Sequence, residues 1–331
     1  MTSNSFKNAL LLLTSTAAAL LVTAGAYEIY ASKQYTEWRA RYESEGDWYA
    51  GLTVPSNDPI LMWEYRANGV GNILDSTITT NSHGFRDQEH SLRKRAGVLR
   101  IAFVGDSVTV GIGVADREIF VRQFEDIARQ RFPTMDIEAL AIAVDGYSAF
   151  QVMQLIEKRA LRFQPDMVVY VMCMNDFDTE DASGEKKRYF AKPSSFSLAR
   201  IQQLYRRFYG YYEYHFQKNK DQVYARIGEV KKALTSQGII FRVAIMPTFP
   251  KHSSGVHPLT SMRRSVEETL QHSGIMVNDL MDSPLGYGDA RRKYALDGWH
   301  LNAHGHRLVA ELLVASLLGT DDGANPRLPI N

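Results

Sequence analysis

Sorted by apolar and polar positions, the chain separates into two kinds of stretch. Short β-rich apolar runs recur at Ile101–Val104, Ile137–Ala143, Met167–Met172, Ile239–Ile245 and Ile275–Leu280. Runs of that length and composition predict buried strands. Between and after them, apolar residues fall at helical spacing in Ile119–Arg131, Phe150–Phe163, Gln222–Ser236, Ser261–His272 and Ala303–Leu318. Strand followed by helix, repeated, predicts an α/β fold with a parallel sheet covered by helices on both faces. No internal repeat and no low-complexity tract interrupts the rhythm.

Two stretches lie outside it. From Ala9 to Tyr27 no residue is charged, and leucine, alanine and valine dominate. At about 1.5 Å per residue the run makes about 28 Å of helix, against a hydrocarbon core of about 30 Å. It predicts a single-pass transmembrane signal anchor over residues 9–27, after an N-terminal tail 1–8. The competing reading is a signal peptide cut after Ala24-Gly25-Ala26. Lys7 leads the run, but Lys33, Arg39 and Arg41 follow it and blunt the charge bias. A short leader ahead of a large domain places the body outside the cytoplasm. The second stretch, 176–220, interrupts the alternation with Tyr205, Phe208, Tyr209, Tyr211, Tyr212, Tyr214 and Phe216, interleaved with Arg206, Arg207 and His215. Either its aromatic side packs on the core, or it meets a substrate or a membrane interface.

Residues 28–97 are expected to hold an outward continuation of the helix, a linker near Pro55 and Pro59, and an accessory segment. Around Asn81 and Arg86 that segment reads either as a flap with two polar anchors beside a site or as a surface hairpin. Residues 98–319 form the expected main domain, and 320–331 a tail. The 331 residues, 45% hydrophobic and 23% charged, suit a globular chain, and a net charge of +1 gives no reason to expect nucleic acid as a partner. Cys173 is the only cysteine, so no intrachain disulfide forms.

Candidate chemistry gathers at strand ends. Gly105-Asp106-Ser107 follows the first main strand, where a tight turn into a helix exposes the serine and lets Asp106 act as a cap. A serine hydroxyl needs a base to become a nucleophile. Asp297 and His300, three residues apart before the final helix, offer a carboxylate beside one ring nitrogen with the other left free. Gly146 and Asn175, after the second and third strands, join the Ser107 N–H as three candidate oxyanion donors. His300, His304 and His306 lack the glutamate of a His-Glu-x-x-His zinc pattern, and His304 and His306 read as helix-start and surface histidines. The Gly-x-Ser-x-Gly elbow fails at Thr109, and a Gly-x-Gly-x-x-Gly loop fails at Asp116. Cys173 reads as a small buried residue rather than a nucleophile.

The order Ser, Gly, Asn, Asp-x-x-His along successive strand ends resembles the SGNH, or GDSL-type, hydrolase family. Gly105-Asp106-Ser107, Gly146, Asn175 and Asp297-x-x-His300 look like its four blocks, and Asn302-Ala303-x-Gly305-His306 like the continuation of the last. Asn81-Ser82-His83-Gly84-Phe85-Arg86 is similar to a stretch often found before the first block. The chain departs at Cys173, where a glycine is common, and at Ala141 and its neighbours, where an asparagine often precedes the second-block glycine. The resemblance, over about residues 78 to 318, implies a flavodoxin-like three-layer α/β/α sandwich, a catalytic triad of Ser107, Asp297 and His300, an oxyanion hole, and no metal or cofactor. The implied function is a membrane-tethered esterase cleaving an acyl, for instance acetyl, ester of a carbohydrate or lipid. The alternatives are an O-acyltransferase on a cell-envelope polysaccharide and a non-catalytic glycan-binding module. Oligomeric state is not legible.

Overall fold

The structure is a computed structural model that describes residues 3–45, 51–73, 76–178, 194–208, 210–249 and 259–319. Its first element, α1 (Ser3–Glu45), is one continuous helix. From Asn4 to Thr23 every position is exposed, and the segment is long and apolar enough to cross a membrane. By length and composition it is a candidate membrane span or signal sequence. Beyond that, Ala24, Tyr27, Glu28, Ala31 and Tyr35 are half-buried, one face at helical spacing.

Two small antiparallel ribbons follow: β1 (Thr53–Pro55) with β2 (Trp63–Tyr65), and β3 (Val70–Ile73) with β4 (Ser76–Thr79). Pro55, expected in a linker, is the last residue of β1, an edge position that needs no further N–H. The ribbons belong to the main core, since Leu52, Leu61, Trp63, Tyr65, Ile73 and Ile78 are all buried within it. Tyr65 Oη donates to Asp145 Oδ1 at 2.8 Å, and Tyr147 Oη donates to the Trp63 carbonyl.

The rest alternates as expected: β5 (Val98–Gly105), α2 (Ser107–Val110), α3 (Phe120–Arg131), β6 (Asp136–Ala143), α4 (Ala149–Lys158), β7 (Met167–Met172), α5 (Phe196–Phe208), α6 (Tyr211–Thr235), β8 (Ile240–Ile245), α7 (Thr260–His272), β9 (Met276–Asp279), α8 (Ala290–Tyr294) and α9 (Ala303–Leu318). The sheet runs β6-β5-β7-β8-β9, and every pairing is parallel. Each strand sends alternate side chains to opposite faces. Ala102, Val104, Val168 and Tyr170 meet Val152 and Ile156 of α4, Val223 and Ile227 of α6, and Val266 of α7. Ile101, Phe103, Val169 and Val171 meet Phe120 and Phe124 of α3 and Leu313 and Val314 of α9. The result is three layers, helix, sheet and helix. Phe103 sits edge-on to Phe120 and Phe124, with centroids 5.7 and 4.9 Å away; emptying such a position costs about 3–5 kcal/mol.

Two helices differ from expectation. The Phe150–Phe163 run breaks after Lys158 into a 3-10 turn over Ala160–Phe163. The Gln222–Ser236 helix starts much earlier, at Tyr211. The aromatic interruption therefore carries helices of its own, and its stretch 179–193 lies outside the described residues.

Candidate active site

Register builds the site. Gly105 pairs with Ala143 on one side and with Val171 on the other. The loops leaving β6 and β7 therefore emerge level with the loop leaving β5. They are tied together where the Ala149 N–H donates to the Asp176 carbonyl at 2.9 Å. Gly146, on the first loop, has φ of 72°, a left-handed turn that a glycine adopts without strain, and it is exposed. Asn175, on the second, is half-buried.

Between them stands Ser107, the only residue from Val98 to Ile112 that is not buried. Gly105 is required two positions earlier, because a Cβ there would lie 2.3 Å from Thr109 Oγ1 and 2.8 Å from the Val171 carbonyl. Asp106 caps α2, accepting from the Val108 N–H at 3.1 Å. Arg86 holds the far end: its guanidinium donates to the carbonyls of Gly111 at 2.6 Å and Val114 at 2.7 Å, and pairs with Asp116 at 2.7 Å. Asn81 is buried too. Its Oδ1 accepts from the N–H groups of His83 and Phe85, each at 3.0 Å. Asn81 and Arg86 are thus buried polar anchors, as in the flap reading: β3 and β4 make a hairpin, and the residues after it brace the serine helix.

The Asp297–His300 pair sits in a loop closed by a bridge between Ala295 and Leu301. Asn302 caps α9 behind it, accepting from the Gly305 N–H at 3.0 Å. Asp297 Oδ1 accepts from the N–H groups of Trp299 at 2.7 Å and His300 at 2.8 Å. That turn leaves Oδ2 for His300 Nδ1, 2.7 Å away. On the other side of the ring, Nε2 lies 3.0 Å from Ser107 Oγ. Partial burial opposes ionisation of Asp297, yet hydrogen bonds from the His300 ring and from the two N–H groups hold its carboxyl well below the usual carboxylate range. An ionised carboxylate fixes the Nδ1–H tautomer and leaves Nε2 able to accept the serine proton.

Behind Ser107 lies a buried acidic group that sequence reasoning missed. Asp106, Cys173 and Asp176 have ligand-type atoms within 4.8 Å of one another, all buried. The Cys173 thiol donates to Asp106 Oδ1 at 3.4 Å, and Tyr170 Oη donates to Asp176 Oδ2 at 2.6 Å. Burial pushes both carboxyls up, and for Asp176, well above its usual range, the Asp106 charge adds to it. Two carboxylates this close in an apolar interior do not both ionise. Cys173 is buried, as expected for a small core residue, and burial pushes its thiol up as well. The only sequence signal for this group is that Asp176 follows Asn175 directly.

His304 is exposed, in line with a helix-start histidine. His306, expected at the surface, is 1% exposed. Its Nδ1 accepts from the Phe120 N–H at 3.2 Å and its ring stacks on Phe120. Burial, with the charges of Arg86 and His300 nearby, brings it down to about 3, so it serves as a neutral acceptor joining α9 to α3. Tyr212, at the start of α6, packs edge-on to Trp299 with ring centroids 4.9 Å apart, which sets an aromatic contact beside His300.

Residues 103–308 match the family model for GDSL-like lipases and acylhydrolases. No curated protein matches the chain. Among solved structures, the chain is similar to an acetyl xylan esterase, AlAXEase, at 15% identity and a TM-score of 0.46, over 66% of this chain and 99% of that one. It is similar to a two-domain esterase active on acetylated mannans, at 19% identity and a TM-score of 0.45, over 71% of this chain and 53% of that one, so it spans about half of that protein. A catalytic mutant of an acetylxylan esterase from Geobacillus stearothermophilus also matches, at 14% identity and a TM-score of 0.45, over 67% of this chain and 94% of that one.

Proposed function

The chain belongs to the GDSL-like lipase/acylhydrolase family, and on that premise we propose that it is a membrane-tethered serine esterase using Ser107, His300 and Asp297. The observation that carries the reading is the relay itself: Ser107 Oγ to His300 Nε2 at 3.0 Å and His300 Nδ1 to Asp297 at 2.7 Å. Ser107 Oγ attacks the acyl carbonyl as His300 takes its proton. The negative charge that develops on the carbonyl oxygen is met by the N–H groups of Ser107 and Gly146 and by the Asn175 amide, each such donor being worth about 2.7–4 kcal/mol in the transition state. Collapse breaks the ester C–O bond, and the leaving alcohol takes the proton back from His300. Water, deprotonated by the same ring, then releases the acid from the acyl-serine.

The substrate class is an acyl ester of a carbohydrate or lipid, with the Trp299–Tyr212 contact as an aromatic wall suited to a sugar face or acyl chain. Two features support the tether. None of the described residues buries the Asn4–Thr23 part of α1, and the helix runs unbroken through Ala24–Ala26, where a signal peptide would be cut. The leader's position ahead of a large domain supports a body outside the cytoplasm. The test is reaction of the full-length protein with a fluorophosphonate probe. A covalent adduct mapped to Ser107 is expected; an unlabelled Ser107 in folded protein, or an adduct on another residue, overturns the mechanism.

A further inference from the structure

Outside α1, most large exposed apolar side chains among the described residues are scattered singly, but α5 carries three in register. Leu198, Ile201 and Leu204 are 59%, 58% and 51% exposed. Spaced three apart, they form one stripe along the helix. Such a stripe, on a helix where Phe196, Ser197, Ala199 and Arg200 are half-buried, calls for a partner, and its position identifies which.

The start of α5 is fastened to α1. Glu28 Oε1 accepts from the Phe196 N–H at 2.9 Å, and Glu28 Oε2 accepts from the Ser197 N–H at 2.9 Å and from Ser195 Oγ at 3.1 Å. Ser197 Oγ donates to the Ala24 carbonyl at 2.8 Å. The Tyr35 and Phe196 rings meet with centroids 5.9 Å apart. Ala24 lies in the last turn of the charge-free run that ends at Tyr27, and Glu28 is the first charge beyond it. The first turn of α5 is therefore level with the plane where a bilayer around α1 ends. The α5 sequence completes the pattern, with Arg200, Arg206 and Arg207 and no acidic residue between Phe196 and Phe208. Apolar residues and arginines without acids, at the depth of the headgroups, are the composition of a helix that lies in a membrane interface and favours anionic lipid.

We propose that α5 is an interfacial helix, lying on the bilayer beside the exit of α1 with Leu198, Ile201 and Leu204 among the acyl chains. The proposal rests on the reading of α1 as a membrane anchor. It has a consequence for the enzyme: α6 begins three residues after Phe208 and sets Tyr212 against Trp299, next to His300. A helix fixed on the bilayer would hold this rim of the active site close to the headgroups rather than free at the end of a tether.

The test uses the full-length chain in nanodiscs of phosphatidylcholine with phosphatidylglycerol. Nitroxide labels are placed by the substitutions Ile201→Cys, Leu12→Cys and Arg307→Cys, one at a time; all three sites are exposed, and the native Cys173 is buried. Collision with oxygen and with a water-soluble nickel chelate is measured by power saturation. Ile201 and Leu12 are expected to favour oxygen severalfold, and Arg307 to favour the chelate. A chelate-accessible label at Ile201 with Leu12 in lipid overturns the interfacial helix and leaves the anchor standing. A chelate-accessible Leu12 overturns the anchor and, with it, this proposal. Spin–spin broadening at Ile201 that vanishes on dilution with unlabelled chain shows a second copy on the stripe, and also overturns it.

Discussion

Strand β5 carries a buried charged group at each end, and the two ends are finished in opposite ways. At its start, Arg100 is 1% exposed and fully engaged. Its guanidinium donates to Glu138 at 2.7 Å, to the Ser91 carbonyl at 3.0 Å and to the Phe163 carbonyl at 2.5 Å, while its own N–H donates to Asp166 at 2.8 Å. Past its last residue, Asp106 and Asp176 have no guanidinium or ammonium against them among the described residues, only a thiol, a phenol, the Asn175 amide and backbone N–H groups. The buried oxygens Asn175 Oδ1 and Asp176 Oδ1 have no hydrogen-bond partner among the described residues. Buried polar groups are normally satisfied, and leftover capacity concentrates where a ligand or a reaction will use it. One strand therefore has a structural end and a chemical end, and only the second sits at the carboxyl edge where α/β sheets bind ligands.

The sharpest way to break this contrast is at the chemical end. Ser107→Ala and His300→Ala are each expected to lower kcat/KM on a short-chain aryl ester by about 10³-fold or more, with the melting temperature unchanged within a few degrees. If either variant unfolds instead, the residues are holding the fold and the contrast fails. At the structural end the effects exchange. Arg100→Met leaves Glu138 only the more exposed Arg95, 3.3 Å away, and is expected to cost about 1.5–3 kcal/mol of stability by urea titration, while the folded fraction keeps its esterase activity.

The smallest effect separates the two ends by pH. Asp176 is held protonated in the native state, its pKa raised by burial and by the neighbouring Asp106, whereas the unfolded chain releases that proton near about pH 3.9. The native state thus binds the extra proton, so the stabilising contribution is complete below that pH and is lost as pH rises toward the folded value. Asp176→Asn keeps the shape of the neutral acid and cannot lose the proton. Its melting temperature is expected to fall less than that of the parent protein between about pH 5 and about pH 9. Equal slopes would mean that the acidic pair does not share a proton.

Much of the site was legible because the chemistry is written in short local patterns. Asp297-x-x-His300 needs only one turn of chain for the carboxylate to take two N–H groups and one ring nitrogen. Gly105-Asp106-Ser107 is likewise a local strand-to-helix turn. His306 misled because His304 and Arg307 beside it in sequence are polar and exposed, whereas its neighbours in space are Phe120 and Arg86, on other elements. The Asn81–Arg86 stretch stayed ambiguous for a similar reason: its polar residues look solvated until their partners, the carbonyls beyond α2, are in view.

By itself the sequence determined the strand and helix rhythm, the charge-free leader and the list of groups available for chemistry. Each of these depends on residues within a few positions of one another, through side-chain period and hydrogen bonds across a single turn. Only the tertiary structure decided how these parts meet. Parallel register sets the loops after β6 and β7 level with Ser107, and the packing of α9 on α3 returns His300 to a serine far back along the chain. The contact of Glu28 with the start of α5 likewise joins two segments that no local pattern connects. Such pairings are set by which apolar faces are buried together, a property of the whole chain.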